Sequence, residues 1–259
     1  MKGVGKRYME KKDSQIDRYL YAVIDGTAER NFGPIGINGK DVYCISNGHI
    51  SAVVSDAPDG RIRPERRHLK AHKEVLTRLL EETSPLPMAF GIIGDGSKAI
   101  KTILTNNQKI LRNQLQRVSG KLEMGLRVTW DVENIFDFFV STHHELRTTR
   151  DRYFGTLREP SAEDKIELGR MFDRVLNEDR ELLAEQVEEV LGEYCFEITR
   201  NSCRDERVVM NLACLVGRDA GAEFENGVFK AATLFDNNYA FDYNGPWAPH
   251  NFVDIDLKR

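Results

Sequence analysis

The stretch Val208–Val216, reading VVMNLACLV, constrains the chain more than any other. It is almost unbroken in apolar residues and far shorter than the roughly 20 apolar residues that cross a bilayer as a helix. A short run of this kind is a strand buried inside a layered structure. Helices with an apolar side are the natural cover for such a strand, and the chain supplies them. Ala162–Leu191 sets Leu168, Phe172, Val175, Leu176, Leu182, Leu183, Val187 and Val190 along one broad stripe. Pro160 breaks the chain before it, and Ser161 stands where a hydroxyl can cap the first helical N–H groups.

The same alternation runs through the rest of the sequence. Tyr19–Asp25 (YLYAVID) is a strand closed by Gly26, and Val42–Ser46 and Ile50–Ser55 flank Asn47-Gly48, a dipeptide suited to a tight hairpin turn. Pro64–Glu82 has a helical period through Leu69, His72, Leu76, Leu79 and Leu80. Pro85 and Pro87 end it, a short strand is expected at Met88–Ile93, and a second helix at Ser97–Val118. Beyond Gly120 come a strand at Leu122–Trp130, helical segments at Val132–Leu157 and Ala162–Leu191, and strands at Tyr194–Thr199 and Val208–Val216. A shorter helix at Ala220–Ala232 and an extended stretch at Tyr239–Val253 complete the pattern.

At 259 residues, and roughly 150 per domain, this makes two domains. The expected fold class is α+β, each domain a small, mostly antiparallel sheet with helices packed on one face and ferredoxin-like features. The expected divisions are a basic flexible tail over 1–17, a first domain over 18–120, and a second over 121–259 that ends in an aromatic, proline-rich tail. The start carries Lys2, Lys6, Arg7, Lys11 and Lys12 and lacks the apolar core of a secretory signal, so a cytoplasmic protein is expected. Cys44, Cys195, Cys203 and Cys214 show no paired zinc-ligand spacing and read as reduced thiols, with no metal site.

The net charge of −4 speaks against a nucleic-acid partner. Charge is nevertheless uneven: Glu159–Glu193 holds 12 acidic and 4 basic residues, while Arg61, Arg63, Arg66, Arg67, Lys70 and Lys73 crowd one short stretch. Solvated helix faces are the plain explanation, and complementarity to a partner or between protomers is the sharper one.

Several stretches look like sites of chemistry and depart from them in detail. Gly91–Lys98 (GIIGDGSK) has the glycine spacing of a phosphate loop, but Ser97 and Lys98 are transposed, and one helical step turns a side chain by about 100°. A nucleotide-binding enzyme or switch at this loop is the alternative function. His68 and His72 stand four apart, yet Leu69 occupies the place a zinc protease gives to glutamate, so one partly buried and one solvated histidine are expected. The adjacent His143 and His144 are read as surface residues. No nucleophile elbow or reactive cysteine context occurs, so no catalytic residue is nominated and no cofactor is expected.

The least ordinary stretch is Asn244–Phe252 (NGPWAPHNF). Its prolines stiffen the backbone, and its aromatic residues offer large apolar area at low entropic cost. It is either a tail sealing its own domain or a docking surface, with Trp247, Pro249 and Phe252 as the candidate partner-binding residues.

Taken in order, several of these stretches resemble the GvpF/GvpL family of gas vesicle proteins over nearly the whole chain. They are Tyr19–Asp25 with Ile50–Ser55, Leu86–Gly91 (LPMAFG), Gly120–Val128 (GKLEMGLRV), Val208–Val216, and Gly245–Val253 (GPWAPHNFV). The resemblance implies a non-enzymatic, minor accessory component of the gas vesicle, cytoplasmic and associated with that particle. It would bind the hydrophobic major shell protein, limit its aggregation and assist vesicle nucleation, with other gas vesicle accessory proteins as further partners and no lipid membrane. The chain departs from the family pattern at Ala89, where an arginine is usual, at Ala248-Pro249-His250, where Pro-Pro-Tyr is usual, and in the less regular Glu223–Asn237.

Overall fold

The computed structural model describes residues 16–58, 62–155 and 159–257. Except for Ile16 and Asp17, the expected basic tail lies outside them, as do Arg61 and Leu157. The chain divides into two units: the residues up to Glu123 together with Pro246 onward, and Met124–Gly245.

In the first unit the strands are β1 (Arg18–Asp25), β2 (Asn31–Gly33), β3 (Val42–Ser46) and β4 (Ile50–Asp56). After α1 (Arg66–Leu80) come two short strands, β5 (Leu86–Pro87) and β6 (Ile93–Gly94), then α2 (Gly96–Asn106) and α3 (Gln108–Val118). The sheet order is β2-β3-β4-β1-β5, with β6 also on β1. The β3–β4 hairpin forms where Asn47-Gly48 pointed. Gly48 takes φ +93°, and Asn47 Oδ1 accepts from the N–H groups of His49 and Ile50 at 3.1 Å. Both choices stabilise a turn that a branched side chain would strain.

A bulge in β1 decides how this sheet is covered. Leu20 pairs with Val54 and Ala22 with Val53, so Tyr21 is an extra residue. Leu20 and Val23 therefore share one face, where they join Ile100, Leu104, Leu111, Leu115 and Val118 of α2 and α3 in one core cluster. Tyr19 and Tyr21 turn to the other face and meet His72 of α1. Helices thus lie on both faces of the first sheet, where the pattern led us to expect one.

Two further expectations change here. The strand at Met88–Ile93 is replaced by the separate β5 and β6, because Gly91 takes φ +94° and turns the chain between them. Met88 N–H still donates to Tyr21 O, and Leu20 N–H to Ile92 O, both at 2.9 Å. The helix at Ser97–Val118 is two, since buried Asn107 adopts φ −110° and ψ 10° and donates its side-chain amide to Ile103 O at 2.8 Å. A short polar side chain competing for a helix carbonyl breaks the ladder at that point.

The second unit runs β7 (Lys121–Trp130), α4 (Ile135–Thr142), α5 (His144–Phe154), α6 (Ala162–Leu191), β8 (Glu197–Arg200), β9 (Val208–Gly217), α7 (Gly221–Ala232) and β10 (Tyr239–Trp247). Its strands lie in the order β10-β7-β9-β8. This β-α-β-β-α-β arrangement is the ferredoxin-like pattern. The apolar run becomes β9, with Val208, Val209, Met210, Leu212, Ala213, Cys214, Leu215 and Val216 all buried. Helix α6 has the predicted bounds and a capping box: Asp164 N–H donates to Ser161 Oγ at 3.1 Å, and Ser161 N–H to Asp164 Oδ2 at 2.8 Å. Leu182, placed on its apolar stripe from the sequence, is instead 59% exposed. The helix expected from Val132 begins at Ile135, capped by Asn134, and breaks at His143 (φ −110°, ψ 110°). The irregular Glu223–Asn237 carries α7 as far as Ala232.

The expected boundary near Gly120 put the aromatic tail with the second domain. The structure puts it with the first, because residues after Gly245 bury their apolar side chains there.

Candidate functional site

The segment following β10 folds over the first unit as a clasp. Ala248 and Phe252 are buried, at 3% and 2% exposure, and Pro249 is buried beside them. A single 3₁₀ turn at His250–Phe252 tightens the chain, with Phe252 N–H donating to Pro249 O at 3.2 Å. Val253, Ile255 and Leu257 then alternate inward against the core cluster, while Asp254 and Asp256 stay exposed. That two-residue period is extended chain laid on an apolar surface.

Two polar contacts fix the clasp. Asn251 reaches Glu123 through both its backbone N–H and its side-chain amide. Burial pushes the Glu123 carboxyl above the usual range, and the Asn251 donors pull in the opposite direction. Half-buried Trp247 lies under Lys73 of α1, whose ammonium sits 3.5 Å from the indole centroid, a cation–π contact. Lys73 is the last cation of the basic stretch noted in the sequence, so one member of that stretch has a definite partner.

Behind the clasp lies an aromatic cluster. His72, 6% exposed, shares a 2.9 Å hydrogen bond with the Tyr19 hydroxyl, and its ring lies 5.5 Å from Tyr21 and 5.8 Å from Phe90. The Tyr19 hydroxyl also accepts from Gly91 N–H at 3.0 Å. Burial, with the nearby His250 adding to it, pushes His72 down to about 4. Burial likewise raises Tyr19 and Tyr21. These groups are neutral at physiological pH, which suits packing and orientation rather than proton transfer.

The three candidate residues thus differ in place. Trp247 keeps an accessible edge, whereas Pro249 and Phe252 are buried anchors of the same segment. Sequence reasoning singled out the stretches that hold Lys73 and Asn251 but missed their pairing with Trp247 and Glu123. A carboxylate facing inward from a strand, and its partner 128 positions away, leave no local pattern.

The other look-alikes resolve into packing. In Gly91–Lys98, Gly94 packs against Ile100, whose Cδ1 would lie 2.7 Å from an added Cβ, and Asp95 stands at the N-terminus of α2, where a phosphate would need to sit. His68 is buried like His72, correcting the expectation of one solvated histidine. Its Nδ1 lies 2.9 Å from Arg63 O and its Nε2 3.3 Å from Asn38 Oδ1. His143 is half-buried, stacked on Phe139 at 5.1 Å and 3.3 Å from Asp179, while His144 is exposed. Among the described residues no three His, Cys, Asp or Glu side chains converge as a metal site, and no helix is long and apolar enough to cross a membrane.

Two α+β units, the second ferredoxin-like, with a clasped aromatic C-terminal segment, define a class of protein built around packed surfaces. Comparison with known proteins makes the class specific. Residues 17–254 match the family model described as gas vesicle synthesis protein GvpL/GvpF, and the chain belongs to that family. It is similar to gas vesicle protein F of Dolichospermum flosaquae, 25% identical with 93% of this chain and 99% of that protein covered. It is also similar to gas vesicle protein L of a Streptomyces species, 23% identical with 92% and 93% covered. The fold matches the crystal structure of GvpF from an Anabaena species with a TM-score of 0.80, at 23% identity over 93% of this chain and 99% of that one.

Proposed function

We propose that this protein is a non-enzymatic accessory component of the gas vesicle that binds the major shell protein, limits its aggregation and assists vesicle nucleation. It would act in the cytoplasm and remain with the vesicle as a minor component, in contact with other accessory proteins. The observation that carries this reading is the family match over residues 17–254, with relatives named as gas vesicle proteins spanned almost end to end. The physical requirement is simple. A hydrophobic shell subunit self-associates because each Å² withdrawn from water contributes roughly 25 cal/mol. A holding protein covers part of that surface and keeps the pair dispersed. The exposed acidic side of α6, with Glu178, Glu181, Glu185 and Glu189, suits the second task. Trp247, held at the surface by its buried neighbours Pro249 and Phe252, suits the first.

The test is light scattering from refolding shell protein with and without this chain, combined with co-precipitation from the soluble fraction. Suppressed scattering with a recovered complex supports the reading. Unchanged scattering with no complex rejects it.

A further inference from the structure

The second unit carries an exposed feature that the clasp does not use. Phe229 on α7 and Leu234 just beyond it are 58% and 55% exposed. Phe235, the residue after Leu234, lies edge-on to both Tyr239 and Phe241 of β10, with ring centroids 5.0 and 5.1 Å away. Glu225 hydrogen-bonds the Tyr243 hydroxyl, and Phe229 stands one turn further along that same side of α7. The aromatic patch therefore borders β10, the terminal strand of its sheet.

Strand geometry sorts the β10 side chains. Tyr243 meets Phe224 of α7, and Tyr239 and Phe241 meet Phe235 just beyond it, so these three share one face while Ala240, Asp242 and Asn244 take the opposite one. A strand added along this edge would place one set of residues beside Phe229, Phe241 and Leu234, and the alternate set beside exposed Asp242. The surroundings are acidic. Residues 219–242 contain five carboxylates and one cation, Lys230, already paired with Glu193 at 2.7 Å. The described part of Met124–Gly245 holds 25 acidic and 13 basic residues. Pairing of β10 with β10 of a second copy would bring these like-charged units together, which disfavours that occupant.

We propose that the outer edge of β10 docks a β-strand of another protein in which apolar residues alternate with lysine or arginine. The apolar residues lie on the aromatic patch, and the cations lie beside Asp242. This site is separate from the clasp and does not depend on which protein supplies the strand.

The experiment titrates the full chain against fluorescent synthetic peptides followed by anisotropy. One peptide alternates leucine with lysine, a second alternates leucine with glutamate, and a third has the first one's composition in a helical period. Binding of the alternating Leu-Lys peptide at least tenfold tighter than the other two is expected. Asp242→Lys should weaken it at least tenfold and shift preference to the Leu-Glu peptide. Phe229→Ser with Leu234→Ser, both exposed positions, should also weaken it at an unchanged circular-dichroism spectrum. Equal binding of the helical-period peptide overturns the proposal. So does an Asp242→Lys variant that binds as before, or loss of binding on Glu185→Lys with Glu189→Lys, which would place the peptide on α6 instead.

Discussion

Asn251 is joined to Glu123 twice, its backbone N–H at 2.9 Å from one carboxylate oxygen and its side-chain amide at 2.7 Å from the other. Glu123 is only 7% exposed, so these donors offset part of the cost of burying its charge. Asn251→Ala removes one of them and should destabilise the protein by about 1–3 kcal/mol in urea unfolding. Glu123→Leu combined with Asn251→Ala should cost less than the two single changes added, because no carboxylate is then stranded. Simple additivity would show that the pair is not coupled.

Trp247 and Phe252 should respond differently to truncation although they stand only five positions apart. Phe252 is buried at 2% exposure, and Phe252→Ala should cost about 3–5 kcal/mol. Trp247 is half-buried under Lys73, and Trp247→Ala should cost about 1 kcal/mol, near the scale of an exposed cation–π contact. Thermal unfolding separates the two. Under the proposed function, Trp247→Ala also weakens suppression of shell-protein scattering at unchanged fold.

His72 should make stability fall in acid. Its folded value of about 4 lies below the ordinary value of 6.5, so the unfolded chain binds the proton more readily. The contribution is fully present above pH 6.5 and is lost as the pH falls toward 4, on the order of 3 kcal/mol in total. Comparing urea midpoints between pH 7 and pH 4 for wild type and His72→Phe isolates it. A variant with the same pH slope as wild type would remove His72 as the cause.

Gly227→Ala sets two effects against each other. Alanine gains about 1 kcal/mol of helix propensity inside α7. An added Cβ would, however, stand 2.6 Å from Cδ2 of the Tyr194 ring. Overpacking of that kind costs about 1–3 kcal/mol, so a net loss of stability is expected, read as a lower melting temperature. A gain would mean that Tyr194 swings aside freely.

Local order and local chemistry determined much of this protein from its sequence. Helix α6 was legible to its ends because a three-to-four residue period, a proline and a capping serine all act within a few residues. The β3–β4 hairpin was legible for the same reason, since Asn47 and Gly48 carry the turn in their own conformational preferences. The family was legible because it is written in several ordered fragments rather than in one site. Tertiary structure alone decided the rest. The extra residue Tyr21 in β1 brings Val23 onto the face of Leu20 and leaves Tyr19 and Tyr21 to meet α1, a shift of a single residue that no period announces. Gly91 and Asn107 break elements whose apolar pattern runs on through them. The clasp depends on contacts across more than a hundred residues, as between Glu123 and Asn251, and on where a chain end finds apolar surface to bury. Such contacts form only once the sheet exists, so the segment reads in sequence as a tail of the second domain and folds as part of the first unit.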